Sequence, residues 1–119
     1  MRSWSPSRLQ VAVHDRAITA EFGFQQDLQT CEDLMKEGSK SFFSASRILP
    51  SKIRDSAIAL YAFCRLLDDM VDDPYAPDDV IKQIEHRLDC IYAQNPADIP
   101  ADRALALVVE RFLIPRELL

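Results

Sequence analysis

Four aspartates, Asp68, Asp69, Asp72 and Asp73, crowd into six residues immediately before Pro74. On a helix, Asp68 and Asp72 share one face a turn apart, and Asp69 and Asp73 form an equivalent pair rotated outward. Carboxylates at this spacing repel, and the negative end of the helix dipole disfavours them further. Arg65 reaches Asp68 or Asp69 from one turn earlier, but one arginine cannot offset four aspartates. A hard divalent cation would: carboxylate oxygens are ligands for Mg²⁺, or for Mn²⁺, and Mg²⁺ keeps waters while bridging carboxylates to phosphate oxygens. Spacing alone leaves open a solvated acidic helix end. Glu85 and Asp89 share the spacing with His86 and Arg87 interleaved and read as surface, while Pro100 separates Asp98 from Asp102.

A second group stands upstream in GSKSFFSASRILP. Gly38 frees the backbone, Ser39 and Ser41 offer hydroxyls and Lys40 an ammonium. A helix starting just after Gly38 would present free N–H groups to an anion. The alternative is an ordinary capped corner, with Phe42 and Phe43 packing it. By the same default Tyr61 is a packed aromatic and Cys64 a small core residue.

The elements that must position these groups are helices. The chain has 119 residues, 48% of them hydrophobic, enough for one domain. Two glycines are too few for a turn-rich β fold or a Gly-rich phosphate loop. A net charge of -5 argues against nucleic-acid binding through phosphate neutralisation. Three scattered cysteines and two histidines make neither a disulfide framework nor a zinc site, which favours a reducing, cytoplasmic setting. No apolar run reaches the length of a membrane span, and the N-terminus lacks a signal-peptide apolar region.

Seven prolines punctuate the chain. The reading is all-α: an arm over residues 1–24, then the helices of a single domain over 25–119. The first helix is expected over about Gln25–Glu37 with Gly38 as its C-cap, followed by a turn over Ser41–Arg47. A long helix covers Ser51 to Asp72 or Asp73 and stops at Pro74. Two more are expected from Asp78 or Asp79 to about Gln94 and from Asp102 to about Phe112, with a further element beginning at Pro115. On the long helix, Ile53, Leu60, Cys64, Leu67 and Val71 form an apolar stripe expected to be more buried than Asp55, Ser56, Leu66 and Met70. Ala57, Tyr61, Arg65, Asp68 and Asp72 run along its border. Ser39, Ser41, Arg65, Asp68 and Asp72 are expected to converge on one cleft.

Taken together, GSKSFFSASRILPSKIRDSAIALYAFCRLLDDMVDD resembles the N-terminal portion of the squalene/phytoene synthase family, bacterial phytoene synthases most closely. The match is strong over about Leu28–Asp73 and weaker to Leu119. The resemblance implies an all-α isoprenoid-synthase fold and a prenyltransferase of carotenoid biosynthesis. Such an enzyme joins two geranylgeranyl diphosphates head to head through a cyclopropyl diphosphate. It implies that Asp68 and Asp72 hold Mg²⁺ on a substrate diphosphate, with Asp69 and Asp73 as further candidates. It implies also that Arg65 contacts that diphosphate, that Ser39, Lys40 and Ser41 line its site, and that Tyr61 and Phe42 face the reaction cavity. Some relatives carry a histidine where this chain has Gly38, which therefore offers only backbone geometry. The family's second aspartate-rich helix has no counterpart here, so the chain is expected to be an inactive fragment or a truncated relative. Apolar faces awaiting missing helices would then invite self-association. Squalene-type condensation of shorter diphosphates is the nearest alternative chemistry. A non-catalytic assembly factor of the same fold is expected to have lost the aspartates, and all four are present. Lipophilic substrates allow peripheral membrane contact.

Overall fold

The computed structural model describes residues 6–118, with side-chain surroundings for residues 21–117. Over the described residues the chain forms five α-helices and a short 3₁₀ turn, without strands: α1 Pro6–Gly38, α2 Lys40–Ser46, α3 Ser51–Asp72, α4 Val80–Tyr92, α5 Pro100–Phe112 and the turn Arg116–Leu118. The all-α expectation holds, and α3 has the bounds read from sequence.

The beginning of α1 differs from the expectation. Residues 6–24, read as an arm, continue the same helix as Gln25–Gly38; residues 1–5 lie outside the described set. Pro6 suits a first helical position, and no other proline interrupts the segment. Gly23 costs a helix about 1 kcal/mol, too little to divide a run of helix formers this long.

Helices α1, α3 and α5 pack against one another, and α4 lies on α5 and the end of α3. The core is filled from α1 by Phe24, Leu28, Cys31 and Met35, which recur at helical spacing on one face. Helix α3 contributes Ile58, Ala59, Ala62 and Phe63, while α5 contributes Ala101, Ala104, Leu105, Val108 and Val109. The buried alanines let the backbones approach closely. Polar ties fix the register. Arg103 of α5 binds both oxygens of Asp27 of α1, at 2.9 Å each, a planar two-point fit particular to arginine. The Tyr92 hydroxyl donates to the Ile114 carbonyl at 3.0 Å and holds the chain end against α4.

The docking of α3 corrects the helical-wheel reading. Ile53 is 52% exposed and Val71 48%; Cys64 is exposed, whereas Leu66 and Met70 are half-buried. The face on the core is Ile58, Ala59, Ala62 and Phe63, continued by Leu66. Helix α3 is apolar on two sides, and the small residues, which permit close helix packing, mark the side that meets α1 and α5. Of the expected stripe, Ile53, Cys64 and Val71 look outward, while Leu60 and Leu67 are half-buried against the core.

Two further expectations change. Gly38 is not a left-handed C-cap: no glycine among the described residues has a positive φ. Positive-φ residues follow two other helices instead: Gln94, φ 59°, after α4, and Leu113, φ 50° and ψ 46°, after α5. Asp102, expected only as the start of a helix, lies inside α5 and is fully buried. Arg87, read as part of a surface run, is its partner, with Nε 3.0 Å from Oδ2 and a second contact from Nη2 to Oδ1.

Candidate active site

The chain turns through Ser39 between α1 and α2. Ser39 is extended (φ -155°, ψ 101°), its N–H donates to the Met35 carbonyl at 2.7 Å, and its hydroxyl accepts from the Phe42 N–H at 3.2 Å. The hydroxyl assigned by resemblance to a diphosphate site thus also caps α2. Lys40 and Ser41 are exposed in the first turn of α2. Phe42 leans toward α3, its ring centroid 5.7 Å from that of Tyr61 with the planes at 46°. That tilted arrangement is favourable for two aromatic quadrupoles. Phe43 faces the other way and lies between two cations, Lys36 Nζ at 5.5 Å and the Arg47 guanidinium at 5.4 Å.

Gly38, the last residue of α1, lies against α3 where Tyr61 and Arg65 project. A Cβ at this position would fall 2.6 Å from the Tyr61 hydroxyl oxygen and would collide with the Arg65 guanidinium. Gly38 therefore makes room for these two side chains. The scarcity of glycine was the signal available in the sequence: one of only two stands where no left-handed turn requires it. The Tyr61 hydroxyl, and after it the Asp69 carboxylate, favour the charged Arg65 guanidinium and push its pKa up. The Arg65 Nε lies 3.6 Å from Asp69 Oδ1, an exposed pairing.

Beneath this polar rim lies an apolar groove of about 560 Å³ between α2 and α3, walled by Phe42, Ala45, Leu49, Leu60, Tyr61 and Cys64 over a floor of Met35. Leu60 is half-buried against the core and also walls this groove, whereas Cys64, expected in the core, is exposed in its wall. Asp68 is one turn above Cys64 and two above Leu60, so it stands over the groove mouth. The Cys64 thiol's pKa is pushed up first by burial and then by the Asp68 charge. Asp72 continues the line one turn further. Asp69 and Asp73 are rotated away from the groove. The end of α1, the start of α2 and the middle of α3 thus meet at Gly38, Phe42, Tyr61 and Arg65, with Asp68 and Asp72 continuing along α3.

Among the described residues, no three His, Cys, Asp or Glu side chains gather closely enough to hold a metal by themselves. Asp68 and Asp72 are exposed, and neither takes part in a salt bridge among the described residues. Their all-oxygen chemistry fits a hard, hydrated cation that takes its other ligands from water and phosphate, not a closed protein cage.

Among the described residues no helix is long and apolar enough to cross a membrane. No solved structure gave a significant match to the chain. The phytoene synthase of Rhodobacter capsulatus is 50% identical over 97 residues, covering 79% of this chain and 29% of the relative. The phytoene synthase of Cereibacter sphaeroides is 43% identical over 102 residues, covering 77% and 29%. The bifunctional lycopene cyclase/phytoene synthase of Phaffia rhodozyma is 46% identical over 50 residues, covering 42% and 7%. The chain therefore spans less than a third of the length of these curated relatives. The family model for squalene/phytoene synthase matches residues 35–119, which contain α2, the groove and the aspartate-bearing end of α3, and the chain accordingly belongs to the squalene/phytoene synthase family.

Proposed function

We propose that the chain forms part of a phytoene synthase-type prenyltransferase, which condenses two geranylgeranyl diphosphates head to head through a cyclopropyl diphosphate intermediate. The observation that carries this reading is a juxtaposition on α3. An apolar groove is walled by Leu60, Tyr61 and Cys64, and helical spacing carries Arg65, Asp68 and Asp72 along the next turns of α3 on that side. An amphiphile with a long hydrocarbon tail and a polyanionic head matches that division. Half of a two-sided α3 faces the groove, which explains why its outward stripe is apolar.

Arg65, with Lys40 and the hydroxyls of Ser39 and Ser41, forms the cationic and hydrogen-bonding side of the head-group site. Asp68 and Asp72 would hold Mg²⁺ (Mn²⁺ is chemically acceptable), which when bound supplies positive charge to a departing diphosphate. Asp69, engaged by Arg65, orients that guanidinium. Phe42 and Tyr61 present aromatic faces at the head of the groove, where a carbocation left by the departing diphosphate is stabilised by ring quadrupoles. The apolar wall below them excludes water, which would otherwise quench the cation.

The test is a condensation assay on the full-length enzyme carrying this segment, offered geranylgeranyl or shorter prenyl diphosphates with Mg²⁺. A C40 product supports the reading. Turnover of shorter diphosphates alone would favour squalene-type chemistry, and tight diphosphate binding without turnover would favour a non-catalytic relative.

A further inference from the structure

The aspartate-bearing end of α3 has very little holding it to the rest of the protein. From Asp68 to Tyr75, Met70 is the one side chain that is not exposed. What it meets is Arg87 of α4: the Arg87 Nη1 lies 3.0 Å from the Met70 sulfur. The same guanidinium lies 5.4 Å from the centroid of Phe63, two turns earlier on the same face of α3. Its remaining edge is committed to Asp102 of α5, with Nε and Nη2 each meeting one carboxylate oxygen. Asp102 is fully buried and the Arg87 side chain is 15% exposed. One planar cation therefore joins three helices, touching the back of α3 at the turns whose front carries Asp68 and Asp72.

We propose that Arg87, aligned by Asp102, is a positioning residue for the aspartate pair. It clamps Met70 and Phe63 and so fixes the last two turns of α3 on the body of the protein. An arginine suits this place because its fork binds both oxygens of a carboxylate while its face and third nitrogen remain free for an aromatic ring and a thioether. A buried ion pair is weak ground for stability alone, since a well-packed apolar pair often serves as well. Here the pair also grips a helix end that carries function. The metal-related part of the proposal rests on the prenyltransferase reading above; the clamp itself does not.

The experiment uses the full-length enzyme with two variants. Arg87→Lys keeps the charge but loses the fork. The double substitution Arg87→Leu/Asp102→Leu removes both buried charges, so no unpaired ion opposes folding. Amide hydrogen exchange is followed over residues 67–73, with core amides at Cys31 and Leu105 as internal reference. Exchange at 67–73 should rise about tenfold in both variants while the core amides hold, a sub-global loosening rather than a loss of fold. The Mg²⁺ concentration for half-maximal condensation should also rise on the order of tenfold, the size expected when a group that orients metal ligands is removed, with a smaller change in kcat at saturating Mg²⁺. Unchanged exchange at 67–73 in the double variant would overturn the clamp. Loosened exchange in an enzyme that shows no Mg²⁺-dependent condensation would support the clamp and refute the functional reading instead.

Discussion

Gly38 closes α1 directly beneath the side chains of Tyr61 and Arg65, leaving no space for a Cβ between them. This contact joins the end of α1 to the candidate site on α3. It also separates stability from activity in a testable way. Gly38 has no positive φ, so Gly38→Ala suits the helix and should raise its stability by on the order of 0.5 kcal/mol. The new methyl pushes away the flexible ends of Arg65 and Tyr61. Displacements near 1 Å in a site cost up to about a hundredfold in rate. Thermal melting together with kcat/KM on the full-length enzyme checks both: Tm unchanged or higher, and activity down at least tenfold.

Cys64 reports on the groove. Its thiol is pushed up by burial and by Asp68, so less thiolate is present at neutral pH than for a free thiol. Alkylation should be slow at pH 8 and keep accelerating beyond the ordinary thiol value of 9.0. Asp68→Asn should speed it by removing the second cause. Cys31 is fully buried, and its thiol is pushed up to about 12 by burial, with Asp27 and Asp102 adding to it; it should react only on unfolding. Mass-spectrometric labelling with and without a prenyl diphosphate gives the remaining check, since an occupied groove should protect Cys64.

Asp55 sits in the cleft between α3 and the end of α5, with Lys52, Ser56 and Arg111 around it. Its carboxyl is pushed up, chiefly by burial, with Arg54 and Arg111 opposing the shift. A carboxyl harder to ionise when folded weakens the fold as pH rises through its folded pKa, and leaves it unaffected below the ordinary value of 3.8, where both states are neutral. Asp55→Asn should therefore raise Tm at pH 7, with the gain shrinking toward zero near pH 3. A gain that persists at pH 3 would assign the effect to something other than ionisation.

The parts of the molecule legible in the sequence were those governed by local rules. Pro74 and Pro50 bracket α3, and its bounds follow from proline chemistry. The aspartate spacing places Asp68 and Asp72 on one face by helical geometry alone. The side on which α3 docks was not legible, because both of its faces are apolar and the wheel does not say which one meets protein. Size held the clue: Ala59 and Ala62 permit close helix approach, whereas the bulkier Ile53 and Val71 lie on the exposed side. Arg87 and Asp102 were hidden for a different reason. They lie 15 residues apart on separate helices, and nothing in the composition of either segment distinguishes a paired buried charge from a solvated one. The start of α1 differs because residues 6–24, expected as an arm, continue the helix without a break at Gly23.

The proposed function requires Asp68 and Asp72, on the groove side of α3, and not Asp69 and Asp73, to be the carboxylates that hold Mg²⁺. The most direct measurement is Mg²⁺-dependent condensation of geranylgeranyl diphosphate by the full-length enzyme with each aspartate changed singly to asparagine. Asp68→Asn and Asp72→Asn should each lower kcat/KM by on the order of a hundredfold or more, the cost of removing charge stabilisation at a reacting centre. Asp69→Asn, which loses its contact with Arg65, and Asp73→Asn should each cost less. Full activity in Asp68→Asn, or a larger loss in Asp73→Asn than in Asp68→Asn, would contradict the account.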